Sequence, residues 1–165
     1  CGSCYTVAFA QAVNSRLKVR YGREFESVAP QQMLQCNFLQ EGCKGGQPLP
    51  DAYFYEQGYM VAESCAPYEA NTKGKSCSLY KECNPLAKIE KTHFVGGGYG
   101  AVSEKQMMKE ILRNGATSGD LMAGEQFKVY ESGILTEKQS KSLAQKIHKK
   151  KHVIVDSTLL ETCGI

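Results

Sequence analysis

The amino-acid sequence predicts an α+β fold whose helical and strand-like patterns lie in different parts of the chain. Over residues 4–20, apolar residues recur at spacings of three and four, which is typical of an amphipathic helix. The composition changes at residues 93–99, where a short strand pattern leads into a glycine turn. We therefore expect a mainly helical, disulfide-stapled domain over residues 1–91 and a partial β-rich domain over residues 92–165.

Three helices are expected in the first domain. The first ends where residues 21–23 interrupt its period, the second covers residues 30–36 with proline in its first turn, and the third covers residues 50–57. Residues 64–85 are rich in turn formers and contain three cysteines, so this stretch needs cross-links to hold its shape. The apolar stripe of the first helix consists of Val7, Ala10, Val13 and Leu17.

The second domain opens with the strand at residues 93–99 and continues with the clearest helix of the chain. Ser103 and Gln106 form a capping-box pattern, and Gly115 supplies the stop. Beyond it, residues 127–135 and 152–155 are candidates for short strands. We interpret the apolar face of the helix as core packing, with no cofactor implied, and it consists of Met107, Met108, Ile111 and Leu112.

Composition excludes several classes of function. No apolar run approaches the roughly 18 residues that cross a bilayer. The net charge of +3 comes from residues 138–165, and residues 149–151 are three lysines with no aromatic neighbour, so nucleic-acid binding is not indicated.

Eight cysteines in 165 residues without paired zinc knuckles favour disulfides. We therefore expect an oxidising compartment, either lysosome-like or secreted.

Cys4 is the main candidate for chemistry, because it falls in the first turn of the first predicted helix. There, unpaired backbone N–H groups and the positive end of the helix dipole favour a thiolate, which is the nucleophilic form. Three other interpretations remain: a redox or zinc pair of Cys1 with Cys4, and a purely structural cysteine. His148 and His152, four residues apart, could also share a helical face as metal ligands, although the glutamate of a His-Glu-x-x-His motif is missing.

Several stretches resemble one known family, in one order along the chain. They are residues 1–5 (Cys-Gly-Ser-Cys-Tyr), 42–46 (Gly-Cys-Lys-Gly-Gly), 64–68 (Ser-Cys-Ala-Pro-Tyr), 81–83 (Lys-Glu-Cys), 93–97 (His-Phe-Val-Gly-Gly) and 130–134 (Tyr-Glu-Ser-Gly-Ile). The chain thereby resembles papain-like cysteine proteases, peptidase family C1A, and within them the cathepsin C or dipeptidyl peptidase I branch. The likeness extends from Cys1 to about Leu135.

The resemblance implies a papain-like two-domain fold with the active cleft between the domains. It makes Cys4 the nucleophile of peptide-bond hydrolysis through a thioacyl-enzyme, with release of N-terminal dipeptides. His152, 148 residues after Cys4, falls at the position of the general base. Gly45 and Gly46 match the segment that binds the substrate backbone. The implied disulfides are Cys1 to Cys43, Cys36 to Cys77 and Cys65 to Cys83.

The chain departs from the family pattern at both ends. The family has a glutamine before its Cys-Gly-Ser-Cys motif and an Asn-Ser-Trp segment after its histidine, and neither is among these residues. We therefore expect a fragment whose partners are a peptide or protein substrate, an N-terminal exclusion or pro region and a C-terminal remainder. Oligomerisation is compatible with this picture. The alternative is a catalytically inactive relative that keeps the fold for binding or assembly.

The resemblance implies neither a metal nor an organic cofactor. In the cathepsin C branch, two tyrosines help to bind a chloride near the substrate pocket. The matching positions here are Leu49 and Phe94, whose side chains lack the hydroxyl, and this counts against a chloride site.

Overall fold

The described part of the chain combines four α-helices with a small antiparallel sheet. The computed structural model describes residues 1–73, 76–119, 131–132 and 158–163, and for 78–79 and 158–163 it describes the backbone only. The α+β fold class predicted from the sequence is confirmed. The elements are α1 (Cys4–Tyr21), α2 (Pro30–Cys36), α3 (Pro48–Gln57), β1 (Met60–Val61), β2 (Pro85–Phe94), α4 (Glu104–Asn114) and β3 (Thr158–Cys163), with short 3-10 helices at Gly42–Lys44 and Cys77–Glu82.

Helix α1 is the central helix of the core. It ends at Gly22, whose φ of +102° suits glycine and stops the helical period. The predicted stripe was wrong at one position, because Val7 is exposed and Phe9 is buried instead. The buried face thus lies slightly further round the helix than the stripe that we predicted, and Phe9 stacks on Tyr55 with ring centroids 6.0 Å apart.

Helices α2 and α3 pack against α1 and each begins with a proline at the start of its first turn. The predicted bounds of α2 are confirmed, whereas α3 begins at Pro48, two residues earlier than predicted. Burial of apolar side chains from all three helices and from the sheet supplies the main stabilising free energy. The core contains Phe9, Ala10, Val13, Leu17, Val28, Met33, Ala52, Tyr55, Met60, Ala87 and Ile89.

The sheet has the order β1-β2-β3, and both pairings are antiparallel. Strand β2 begins eight residues before the predicted strand at residue 93. Its first half alternates in the way that a strand with one buried face requires, because Ala87 and Ile89 are buried while Lys88 and Glu90 are exposed. We missed this alternation in a stretch that also carries lysine and glutamate.

Helix α4 has the predicted capping box, in which Ser103 and Gln106 each bind the other's backbone N–H, and it ends at Gly115. The predicted core packing of its apolar face was wrong, since 57% of Met108 and 84% of Leu112 are exposed. The contact with the helical core is polar instead. Glu110 Oε1 lies 3.1 Å from the buried guanidinium of Arg16, whose Nε also donates to Ala116 O at 2.8 Å.

Nearly all described residues belong to one compact unit, Cys1–Ser118 with Asp156–Ile165. The candidate strands at 152–155 and most of 127–135 lie outside the described residues, and the boundary near residue 92 stays a prediction. Within the described ranges, no helix has the length and apolar character needed to cross a membrane.

Candidate functional site

Cys4 is the first residue of α1, and its side chain is exposed. Among the cysteines whose side chains the structure describes, it is the one outside a disulfide. The first turn of α1 is closed by hydrogen bonds to Ser3 O, which accepts from Val7 N at 3.2 Å and from the Thr6 hydroxyl at 2.9 Å. Cys1 is bonded to Cys43, so the redox or zinc pairing of Cys1 with Cys4 is excluded.

Residues 42–46, the glycine loop, are anchored beside the start of α1 by three connections. The first is the Cys1–Cys43 disulfide, with Cα atoms 4.5 Å apart. The second is a backbone hydrogen bond of 2.7 Å from Gly2 N to Cys43 O, and the third runs from the Tyr5 hydroxyl to Gly42 O at 3.1 Å. The glycine loop is therefore held at the same end of α1 as the Cys4 thiol.

The two glycines predicted to bind substrate have different surroundings. Gly45 has a φ of +121°, and a Cβ there would meet no atom within 4 Å, so it borders open space. Gly46 is exposed, but the direction that a Cβ would take is occupied, because a Cβ there would lie 2.9 Å from Tyr5 Cε2 and would overlap Gln40 Oε1. A side chain at Gly45 would meet open space, whereas the position at Gly46 has room for hydrogen only.

A polar network that the sequence analysis missed lies behind the glycine loop. Asp51 of α3 is fully buried, and its Oδ1 accepts hydrogen bonds from Asn37 Nδ2 at 2.7 Å and from Gln40 Nε2 at 3.3 Å. Burial raises the pKa of this carboxyl to about 7, although the two amide donors act in the opposite direction. The available sequence signal was an aspartate in the first turn of a helix whose first eight residues are otherwise uncharged.

Two tyrosines beside this network remain neutral at physiological pH. The pKa of Tyr5 is raised to about 12, first by burial and then by the negative charges of Asp51 and Cys4. The pKa of Tyr55 lies well above its usual value, first through complete burial and then through the charge of Asp51. The carboxyl group of Asp51 is thus the member of this network that changes charge near neutral pH.

Two further disulfides cross-link the helical part. Cys36–Cys77 and Cys65–Cys83 close loops of 41 and 18 residues, and together with Cys1–Cys43 they are the pairs that the resemblance implied. Each unstrained disulfide stabilises a fold by about 2–4 kcal/mol. They fix residues 64–85, which contain little regular structure apart from the short 3-10 helix.

The other residues that the sequence analysis singled out lie either outside the described residues or in separate elements. His148 and His152 lie outside the described residues, as does the side chain of Cys163. Leu49 lies in α3 and Phe94 ends β2, and each is half-buried. Within the part of the chain that the structure describes, no three His, Cys, Asp or Glu side chains are grouped as metal ligands would be.

Comparison with known proteins places these features in context. The family model described as papain family cysteine protease matches residues 1–155. Cathepsin C of Schistosoma mansoni is 32% identical over 136 residues, which cover 81% of this chain and 30% of that protein. Cathepsin B of Dictyostelium discoideum is 25% identical over 156 residues, which cover 87% of this chain and 50% of that protein. The chain thus spans half or less of the length of these two relatives.

Solved structures agree with these matches. The cysteine protease CMS1MS2 of Carica candamarcensis, in complex with E-64, matches with a TM-score of 0.69 and 25% identity over 82% of this chain and 60% of that one. The bromelain protease of Ananas comosus, also in complex with E-64, matches with a TM-score of 0.66 and 25% identity over 81% of this chain and 58% of that one.

Proposed function

Because the chain belongs to the papain family of cysteine proteases, we propose that it carries the nucleophile of a peptidase and that this nucleophile is Cys4. The observation that supports this most directly is the state of the thiol. Cys4 is free and exposed at the first residue of α1, while its sequence neighbour Cys1 is bonded to Cys43. Because Cys1 is already bonded to Cys43, it is not available to form a disulfide with the exposed Cys4 thiol. Such an arrangement suits a nucleophile that must stay reduced in an oxidising compartment.

The proposed reaction proceeds through a thioacyl-enzyme. The Cys4 thiolate attacks the peptide carbonyl carbon, and the C–S bond forms as the oxyanion develops. The first N–H groups of an α-helix have no acceptor within the helix, so the backbone N–H of Cys4 is available to stabilise the oxyanion. We assign to His152 the proton of the Cys4 thiol, which it donates to the leaving amine as the C–N bond breaks. Water then hydrolyses the thioester, which releases the acid product and restores the Cys4 thiol.

We assign binding of the substrate backbone to Gly45 and Gly46. An extended peptide that pairs with exposed backbone gains main-chain hydrogen bonds independently of its side chains. The open space at Gly45 and the absence of a side chain at Gly46 support this assignment. The disulfide and hydrogen bonds between the glycine loop and α1 would keep the bound backbone in register with the Cys4 sulfur.

Within peptide hydrolysis we propose the release of N-terminal dipeptides, in a lysosome-like or secreted setting. The support is the 32% identity to cathepsin C, against 25% for cathepsin B of Dictyostelium discoideum. Three disulfides support an oxidising compartment. A fluorogenic dipeptide substrate with a free amino terminus should be cleaved faster than the same substrate with a blocked amino terminus.

Labelling by E-64 tests the proposed nucleophile. We expect the complete protein to gain the mass of one inhibitor molecule, on the peptide that contains Cys4, because an exposed thiolate attacks its epoxide. The Cys4→Ala variant should remain unlabelled under the same conditions, as measured by mass spectrometry of the intact protein and of its fragments. Labelling that survives Cys4→Ala would contradict the assignment.

The alternative of an inactive papain-fold relative makes a different prediction for turnover. Such a protein would bind peptides or partners without cleaving them. Turnover by the complete protein that is lost in His152→Ala would exclude the alternative. A protein that E-64 labels, but that cleaves neither the free nor the blocked dipeptide substrate, would favour the inactive relative.

Substitution of Gly46 tests the substrate-binding segment. Gly46→Ala should raise KM for peptide substrates about tenfold with kcat nearly unchanged, because its Cβ would push Gln40 or Tyr5 away and displace a backbone that binds substrate uniformly. Gly98→Ala is the matched control, since a Cβ at Gly98 meets no atom within 4 Å and its φ is not positive. Equal KM values for the two variants would remove Gly46 from the proposed site.

A further inference from the structure

We propose that Asp51 is a positioning residue for the substrate-binding backbone of Gly45 and Gly46, and that it acts through the side chain of Gln40. The inference rests on the proposed function, since it assigns a role to a residue that would not touch the substrate. It concerns a carboxyl that lies inside the protein, behind the glycine loop.

The position of the Asp51 carboxyl is fixed by its neighbours. Its Oδ1 is held by Asn37 Nδ2 at 2.7 Å, and this amide is itself buried. Asn37 also donates to Pro50 O at 3.2 Å and accepts from Leu39 N at 3.0 Å, so its amide is oriented by backbone on both sides. The hydrogen bonds of Asn37 therefore fix the position of Asp51 Oδ1, which accepts from Gln40.

Gln40 connects this carboxyl to the glycine loop. Its Nε2 donates to Asp51 Oδ1 at 3.3 Å and also to Gln47 O, while its Oε1 accepts from Gln47 N at 3.1 Å. The Gln40 amide thus binds both backbone groups of the residue that follows Gly46. Its Oε1 also fills the space beside Gly46 that a Cβ would need. The orientation of Gln40 decides where this backbone lies.

The second oxygen of the carboxyl has no donor, in the part of the chain that the structure describes, that would stabilise a negative charge. Asp51 Oδ2 is buried and has no hydrogen-bond partner among the described residues. A neutral carboxyl can place its proton on that oxygen, whereas an ionised one leaves buried charge without a donor. Burial raises the pKa of Asp51 to about 7, so both forms are accessible near neutral pH.

The groups that face Asp51 do not change charge near neutral pH. Tyr5 from α1 and Tyr55 from α3 have pKa values raised by burial, so both stay neutral, and the amides of Asn37 and Gln40 carry no charge. Once Asp51 ionises, its Oδ1 attracts Gln40 Nε2 more strongly, in competition with Gln47 O, and the hold on the glycine loop weakens.

Kinetics of variants of the complete protein test the proposal. Gln40→Ala and Asp51→Leu should each raise KM about tenfold, the effect of losing one main-chain hydrogen bond to substrate, with kcat per active site within about twofold of wild type. Active sites are counted by E-64 titration. Asp51→Asn keeps the acceptor for Gln40 and should restore the wild-type KM at about pH 5.5.

The pH profile separates positioning from a general effect on folding. The wild-type KM should rise as the pH passes through about 7, and the KM of Asp51→Asn should stay constant from about pH 5.5 to 8. Asn14→Ala is the matched control, since Asn14 Oδ1 is buried and accepts from Val28 N at 2.8 Å. Asn14→Ala should lower the fraction of protein molecules that E-64 labels, because it destabilises the fold, without changing KM.

The outcomes divide cleanly between this proposal and the proposed function. Wild-type KM values in both Gln40→Ala and Asp51→Leu would overturn the positioning role, as would an Asp51→Asn profile identical to wild type. If Asp51→Leu does not fold, Gln40→Ala decides alone, because Gln40 is only half-buried. A wild-type protein that neither binds E-64 nor cleaves peptides would overturn the peptidase itself.

Discussion

Replacing Cys4 by serine is expected to lower kcat/KM for peptide hydrolysis about a thousandfold or more. The serine hydroxyl is a far weaker nucleophile than a thiolate. Because the residues of a catalytic site act together, loss of the nucleophile alone removes most of the rate enhancement of the whole site. The change replaces one exposed sulfur by oxygen, so packing of α1 should not change. The measurement is the initial rate on a fluorogenic dipeptide substrate.

The control for this experiment lies one turn along the same helix. Val7 is also exposed, and Val7→Ser should keep the activity within about threefold of wild type because it contributes little to the core. Both variants should unfold at the wild-type denaturant concentration. Retention of more than about a tenth of the wild-type rate by Cys4→Ser would mean that another group performs the attack.

Local signals predicted much of the helical part. Proline at the start of α2, the capping box of Ser103 and Gln106, and the glycine at residue 115 act within one or two turns, so their effects can be read from adjacent residues. Cys4 could likewise be identified from the motif around it. The prediction that it remains free depended on the family resemblance, because eight cysteines allow many pairings.

Features that depend on distant residues could not be predicted. The apolar face of α4 has the periodicity of a core helix, yet the described contact to α1 is the ion pair of Glu110 with Arg16, 94 residues apart in sequence. The burial of Asp51 is set by Asn37, Gln40 and the core beneath α3, none of which its immediate neighbours indicate. Sequence periodicity shows which face is apolar and does not show what covers it.

The buried carboxyl of Asp51 should make the stability of the protein depend on pH in a characteristic way. Its pKa is raised from an ordinary 3.8 to about 7 in the folded protein, so between these values the folded state holds a proton that the unfolded state has released. The free energy of unfolding should therefore fall as the pH rises from about 4 to about 7. Linkage gives a loss of about 4 kcal/mol from this group, complete above about pH 7.

Substitution by asparagine isolates this contribution from all other titrating groups. Asp51→Asn cannot ionise and keeps an acceptor for Asn37 and Gln40, so it should match wild type near pH 4 and exceed its stability by up to about 4 kcal/mol near pH 8. Glu63→Gln removes an exposed carboxylate and should leave the wild-type profile within about 0.5 kcal/mol. Denaturant unfolding at a series of pH values measures all three proteins. A constant difference between Asp51→Asn and wild type would mean that Asp51 does not change its protonation on unfolding in this range, and the buried neutral acid would then be the wrong description of this network.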